Sequence, residues 1–179
     1  MCPRRRSSSM SEAGPGETLV IGLGNPIMAD DGLGIAALER LREGWTLPES
    51  VRLVDGGTWG MNLLPLIEEA SELLLLDAID SGKPVGELVV LEREEVPRFF
   101  GLKLSPHQID LREVLALAEL RGGLPAKLVA MGLQPARVEM FSGLSPGVES
   151  AMDGLLAAVM ERLERWGHVA KRLEPVANA

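Results

Sequence analysis

The sequence predicts an α/β fold: a three-layer α/β/α sandwich around a twisted, mostly parallel five-stranded sheet. Three observations predict it. Short apolar, β-rich runs alternate along the chain with segments of helical periodicity, the pattern of a sheet covered by helices. The run Leu73 to Leu76 is apolar at every position, as in a strand buried on both faces. Finally, 179 residues with 46% hydrophobic and 25% charged side chains form one ordinary globular domain.

Taken in order, residues 18–23 (TLVIGL) read as the first buried strand, followed by a Gly-rich loop from Gly24-Asn25-Pro26 to Gly34. A helix then runs to about Glu43, with Ile35, Leu38 and Leu41 at helical spacing. Residues 51–54 (VRLV) form a second strand ending at Asp55-Gly56-Gly57-Thr58, and Met61 to Glu69 a short helix. The third strand, Leu73 to Leu76, ends at Asp77. A turn at residues 82–86 leads to a fourth strand, Leu88 to Leu91, and so short a connection allows an antiparallel pairing and a mixed sheet. Ser105-Pro106-His107-Gln108 opens a helix as a capping box, with Ser as N-cap and Pro at the first helical position; the helix continues through Val114, Leu115 and Ala118. The fifth strand is Leu128 to Met131. A last helix after Ser145-Pro146 carries the core stripe Val148, Met152, Leu155, Val159, Leu163 and Trp166. Residues 1–16 read as a disordered tail, 17–167 as the single domain, and 168–179 as a frayed end in which His168 is inert.

Charge and composition exclude several functions. The net charge is −8, and the only basic run, Arg4-Arg5-Arg6, lies in the N-terminal tail. So acidic a body repels nucleic acid and anionic membrane, and 3% aromatics with no Tyr offers no stacking platform for bases. No apolar run is long enough to span a membrane. The N-terminal basic residues lack the apolar stretch of a secretory signal, so the expected location is the cytoplasm. The single cysteine, Cys2, permits neither an intramolecular disulfide nor a thiolate metal site.

The chemistry-bearing residues are Asp31, Asp55, Asp77 and His107. In a parallel sheet the carboxyl ends of the strands share one edge, where such folds place their sites, so these residues could meet in one crevice. Two or three carboxylates with an imidazole suit a divalent metal. Each has a plainer reading. Asp55 ends a strand and could simply bond its own loop. Asp77 and Asp80 could be turn residues, although four leucines before Asp77 would raise its pKa unless donors lie close. An isolated surface histidine is usually inconsequential, but one in a first helical turn is kept neutral by the helix dipole, the form a metal binds. Gly22-Leu23-Gly24-Asn25-Pro26-Ile27 lacks the third glycine of a dinucleotide loop, and Asp30-Asp31 would repel a pyrophosphate; the plain reading is a glycine turn with Asp capping the next helix. Ser105, Ser142 and Ser145 sit in no nucleophile elbow, and Ser105 and Ser145 read as caps.

The stretches GLGNPIMADDGLG (22–34), DGGTWGMNLL (55–64), LLLLDAID (73–80), SPHQ (105–108) and GLSPGVE (143–149) resemble the [NiFe]-hydrogenase maturation endopeptidases, over about residues 18–165. The resemblance implies a twisted, largely parallel sheet between helices. It also implies cleavage of a short C-terminal extension from a hydrogenase large-subunit precursor once nickel is inserted. By motif, the family's metal-contacting positions fall on Asp31, Asp77 and His107, with Asp55 as support or substrate contact. The nickel would come with the substrate, other divalent metals substituting. GLGNP is also similar to peptidyl-tRNA hydrolases, whose tyrosine and histidine positions are absent here. Trp59, beside Asp55, is a candidate apolar wall for the substrate extension. The competing expectations are a non-enzymatic nickel-binding maturation chaperone, which would bind free metal tightly, and a nucleotide-binding module.

Overall fold

The computed structural model describes residues 17–57, 60–97 and 111–174. The strands are β1 (Thr18–Gly22), β2 (Trp45–Thr46), β3 (Val51–Asp55), β4 (Glu72–Ala78), β5 (Leu88–Glu92), β6 (Lys127–Leu133) and β7 (Lys171–Arg172). The helices are α1 (Leu33–Gly44), α2 (Leu63–Glu69), α3 (Leu111–Leu120) and α4 (Pro146–Arg165). Single 3-10 turns, Ala29–Gly32 and Gly60–Asn62, precede α1 and α2.

Five strands form one sheet in the order β3-β1-β4-β6-β5. β1 pairs in parallel with β3 and β4, and β4 with β6; β5 pairs antiparallel with β6, so the short fourth connection does produce a mixed sheet. Every residue of β4 is buried, as its unbroken leucines require at a central position. Side chains alternate across the strands. Leu19, Ile21, Leu73, Leu75 and Leu128 pack on one face with Leu63 and Ile67 of α2 and Val114, Leu115 and Ala118 of α3. Val20, Leu74, Leu76, Val129 and Met131 pack on the other with Leu38 and Leu41 of α1 and Met152, Leu155 and Val159 of α4. These are the three layers.

The strand order explains this division. From β1 the chain crosses to β3 on one side, and from β3 it returns past β1 to β4 on the other. Right-handed crossovers in opposite directions place α1 and α2 on opposite faces. The reversal makes a topological switch point between β1 and β4, and the loops leaving their carboxyl ends diverge around a crevice.

Local details differ from the sequence reading. Pro65 fits in the first turn of α2, where its missing N–H costs no helical bond. The capping box at 105–108, like Thr58 and Trp59, lies outside the described residues. Ser145 precedes α4 with an extended backbone but makes no side-chain cap; its hydroxyl donates to Asp30 instead. No aspartate caps α1, whose N-cap is Gly32.

The C-terminal segment is not frayed through residue 174. β7 pairs antiparallel with β2, and the Leu173 N–H donates to the Gly44 carbonyl at 2.8 Å. His168 is 2% exposed. Its Nε2 lies 2.7 Å from Thr18 Oγ1 and 2.9 Å from Glu72 Oε2, and Nδ1 lies 2.9 Å from Ser50 Oγ. The Thr18 hydroxyl and Lys127 also donate to Glu72. The histidine that the sequence read as inert therefore ties the segment after α4 to the amino-terminal edge of the sheet. The pairing spans 150 residues between His168 and Thr18, and no local pattern announces it.

Candidate functional site at the carboxyl edge of the sheet

Asp31 sits in the 3-10 turn between β1 and α1, and that turn packs against β4. Its Oδ2 accepts the Asn25 N–H at 2.9 Å, closing the loop that leaves β1. Glycines make this closure possible. Gly24 holds φ at +103°, and a Cβ there would lie 1.7 Å from the Asp31 carbonyl oxygen. At Gly34 a Cβ would lie 2.1 Å from the Leu76 carbonyl oxygen, so the first turn of α1 presses directly on the end of β4. The glycines of GLGNPIMADDGLG thus serve protein–protein packing and leave no open phosphate cradle.

Asp55 ends β3 opposite Gly22 of β1. Its Oδ1 accepts the Gly57 N–H at 2.9 Å, the self-bonded turn that Asp-Gly-Gly suggests. Gly57 in turn stands against Gly24, where a Cβ would come 3.0 Å from the Gly24 carbonyl oxygen. The Asp31 and Asp55 loops therefore meet at Gly24.

Asp77 lies one residue beyond Leu76, which pairs with Gly22. It is 3% exposed, and its Oδ1 accepts the Ala78 N–H at 2.8 Å. Strand parity places it on the face of Leu73 and Leu75, the side covered by α2 and α3. Asp80 is the turn residue: it accepts from Gln134 Nε2 at 2.9 Å and from the Gly82 N–H at 3.3 Å, which hold its carboxyl below the usual range.

His107 lies outside the described residues. Chain direction is informative nonetheless. β6 starts at the amino edge, with Lys127 paired to Glu72, so the preceding α3 runs down toward that edge. Its first residue, Leu111, therefore faces the carboxyl edge, and α3 packs against the Gly60–Asn62 turn. The structure thus brings Asp31, Asp55 and Asp77 to one edge around the switch point. Among the described residues, no three His, Cys, Asp or Glu side chains are gathered closely enough to hold a metal ion.

Sequence reasoning missed Asp30. It is 0% exposed. Its carboxylate accepts the Ser145 N–H at 2.6 Å, the Ser145 hydroxyl at 2.8 Å, and the Ala136 and Arg137 N–H groups at 2.8 and 3.2 Å. Burial alone would push this carboxyl up, but the four donors outweigh it and hold the group below the usual range. The Asp-Asp doublet was the available signal. Which member turns inward was not, because its partners lie more than 100 residues away. Nearby, Ile27, Val138, Met140 and Phe141 are exposed. A cleft of about 200 Å³ between Pro26, Ala29, Glu39 and residues 142–144 includes none of the three site aspartates.

This is a mostly parallel α/β domain with three aspartates at its switch-point edge, the place where such folds build their sites. Residues 35–162 match the family described as hydrogenase maturation protease. The hydrogenase expression/formation protein HupD of Rhodobacter capsulatus is 41% identical over 166 residues, covering 92% of this chain and 79% of that protein. The hydrogenase 2 maturation protease of Escherichia coli K12 is 38% identical over 150 residues, covering 83% of this chain and 92% of its own. The structure of the E. coli hydrogenase maturating endopeptidase HybD superposes with a TM-score of 0.82 at 36% identity, over 87% of this chain and 97% of that one. The chain belongs to the hydrogenase maturation protease family.

Proposed function

We propose that this endopeptidase removes a C-terminal extension from a [NiFe]-hydrogenase large-subunit precursor after nickel insertion, reading the substrate's own nickel as the signal to cut. Family membership supports the protease over the chaperone reading. The observation that carries the site is the shared carboxyl-edge location of Asp31, in the turn that follows β1, and Asp77, near the end of β4, on the two sides of the β1–β4 switch point. His107 completes the set. It lies outside the described residues and is assigned by its place in the SPHQ motif, four residues before Leu111.

Two carboxylates and one imidazole make an oxygen- and nitrogen-donor set that leaves coordination positions open. Asp31, Asp77 and His107 would hold a nickel ion carried in by the substrate. Bound there, the ion supplies electrophilic polarisation at the reacting group. The chain's residues do the rest. Asp31 and Asp77 hold the substrate's ion at the rim and so fix one peptide bond in the crevice. A carboxylate takes the proton of the attacking water, and that proton passes to the amine released when the C–N bond breaks. Asp55, anchored by the Gly57 N–H, supports the Gly24 loop. The reading places the reaction in the cytoplasm, in keeping with the absence of a secretory-signal pattern in the N-terminal basic segment.

Intact-mass spectrometry of precursor incubated with the protein tests this reading. Nickel-loaded precursor should lose the mass of its extension, and nickel-free precursor should keep it. Equal cutting of both forms would remove nickel from the proposal, and cutting of neither would remove the activity.

A further inference from the structure

We infer that Asp30 is the positioning residue of the site: a buried carboxylate that clamps the Asp31 turn to the 136–145 segment, so that Asp31 is held toward the crevice. The inference rests on the proposed role of Asp31 and goes beyond it. Asp30 touches no substrate, since none of it is exposed. Its four donors come from two points of one distant segment, Ala136–Arg137 and Ser145. The backbone reinforces the clamp in both directions. The Asp30 N–H donates to the Arg137 carbonyl at 3.3 Å, the Ala29 N–H to Phe141 at 2.8 Å, and the Phe141 N–H to Ile27 at 3.1 Å. Met28 and Phe141 form an isolated parallel bridge.

The clamp holds strain. Ala29, immediately before Asp30, has φ +51°, a left-handed conformation that an alanine adopts only when its surroundings impose it. Relaxation of Ala29 would rotate the following peptides, and the first side chain displaced beyond Asp30 is that of Asp31. Asp31, by contrast, accepts the Asn25 N–H of its own loop at 2.9 Å. Asp30 therefore fixes the turn from the protein side while Asp31 stays available from the crevice side.

Asp30→Asn keeps the shape but replaces one acceptor oxygen with a donor facing backbone N–H groups. On nickel-loaded precursor, kcat should fall about a hundredfold, the cost of misplacing a reacting group by about 1 Å, while KM stays within about threefold. Hydrogen exchange at the Ala136, Arg137 and Ser145 amides should accelerate. The decisive comparison is the double variant. If Asp30 acts through Asp31, Asp30→Asn adds no further loss of kcat in an Asp31→Asn background; independent, additive losses would overturn the inference. Should Asp30→Asn not fold, Ser145→Ala removes only the hydroxyl donor and should lower kcat in the same direction, again without effect beside Asp31→Asn. Unchanged kcat in either folded variant would also overturn it. Wild-type protein that leaves the precursor uncut would instead overturn the proposed function, so the two failures are distinguishable.

Discussion

Gly24 joins sequence to site at a single residue. Its φ of +103° and the 1.7 Å approach of the Asp31 carbonyl to a built Cβ leave no space for any other side chain. Gly24→Ala should destabilise the protein by at least about 2 kcal/mol, from backbone strain and the clash together, and should lower processing because Asp31 moves. Denaturant unfolding within a few tenths of a kcal/mol of wild type would contradict this. Glu72 makes a different prediction. Burial pushes its carboxyl up, but donors from Lys127, Thr18 and His168 outweigh that and hold it below the ordinary 4.5. A depressed folded-state value means that ionised Glu72 stabilises the fold above the ordinary value, and that this contribution is lost as pH falls through the lower one. Thermal melts between neutral and acid pH should therefore show a shallower acid decline for Glu72→Gln than for wild type. Parallel declines would remove Glu72 from the acid response.

At the scale of elements, the segment after α4 behaves as a strap. Its β7 strand closes on β2, Arg172 stacks 5.7 Å from the centroid of the Trp45 ring, and His168 fills a polar niche at the start of β1. Removing one partner from a buried hydrogen-bonded group costs about 1–3 kcal/mol. His168→Ala should accordingly lower the melting temperature by roughly 3–10 °C for a domain of this size, with precursor cleavage below the melt unchanged, since the niche lies at the edge opposite the site. An unaltered melting temperature would return the segment to the inert role its sequence suggested. Helix α1 is held less locally: Arg40 pairs with Glu149 of α4 at 2.6 Å, but both are partly exposed, so that pair contributes under about 1 kcal/mol. Gly34, which lets α1 touch the end of β4, matters more.

For the molecule as a whole, periodicity made the layers legible. Four leucines in β4 announced a central strand, and the stripe from Val148 to Leu163 announced a helix on the core. The antiparallel β5 was readable from the short turn before it. Asp55 and Asp77 were readable as acids at strand ends and Asp31 as an acid in the loop after β1, because chain direction alone sends the ends of parallel strands to one edge. The inward turn of Asp30, the hydroxyl of Ser145 facing Asp30 rather than capping α4, and the His168 niche were not readable. Each depends on partners at least 96 residues away, which neither helical nor strand periodicity encodes.

The account turns on whether Asp31, Asp77 and His107 act on one bond together. Intact-mass spectrometry of nickel-loaded precursor, incubated in parallel with wild type and with Asp31→Ala, Asp77→Ala and His107→Ala variants that melt cooperatively, tests this most directly. Wild type should release the C-terminal extension, and each folded variant should leave the precursor at full mass. Release of the extension at the wild-type rate by any one of the three would contradict the account.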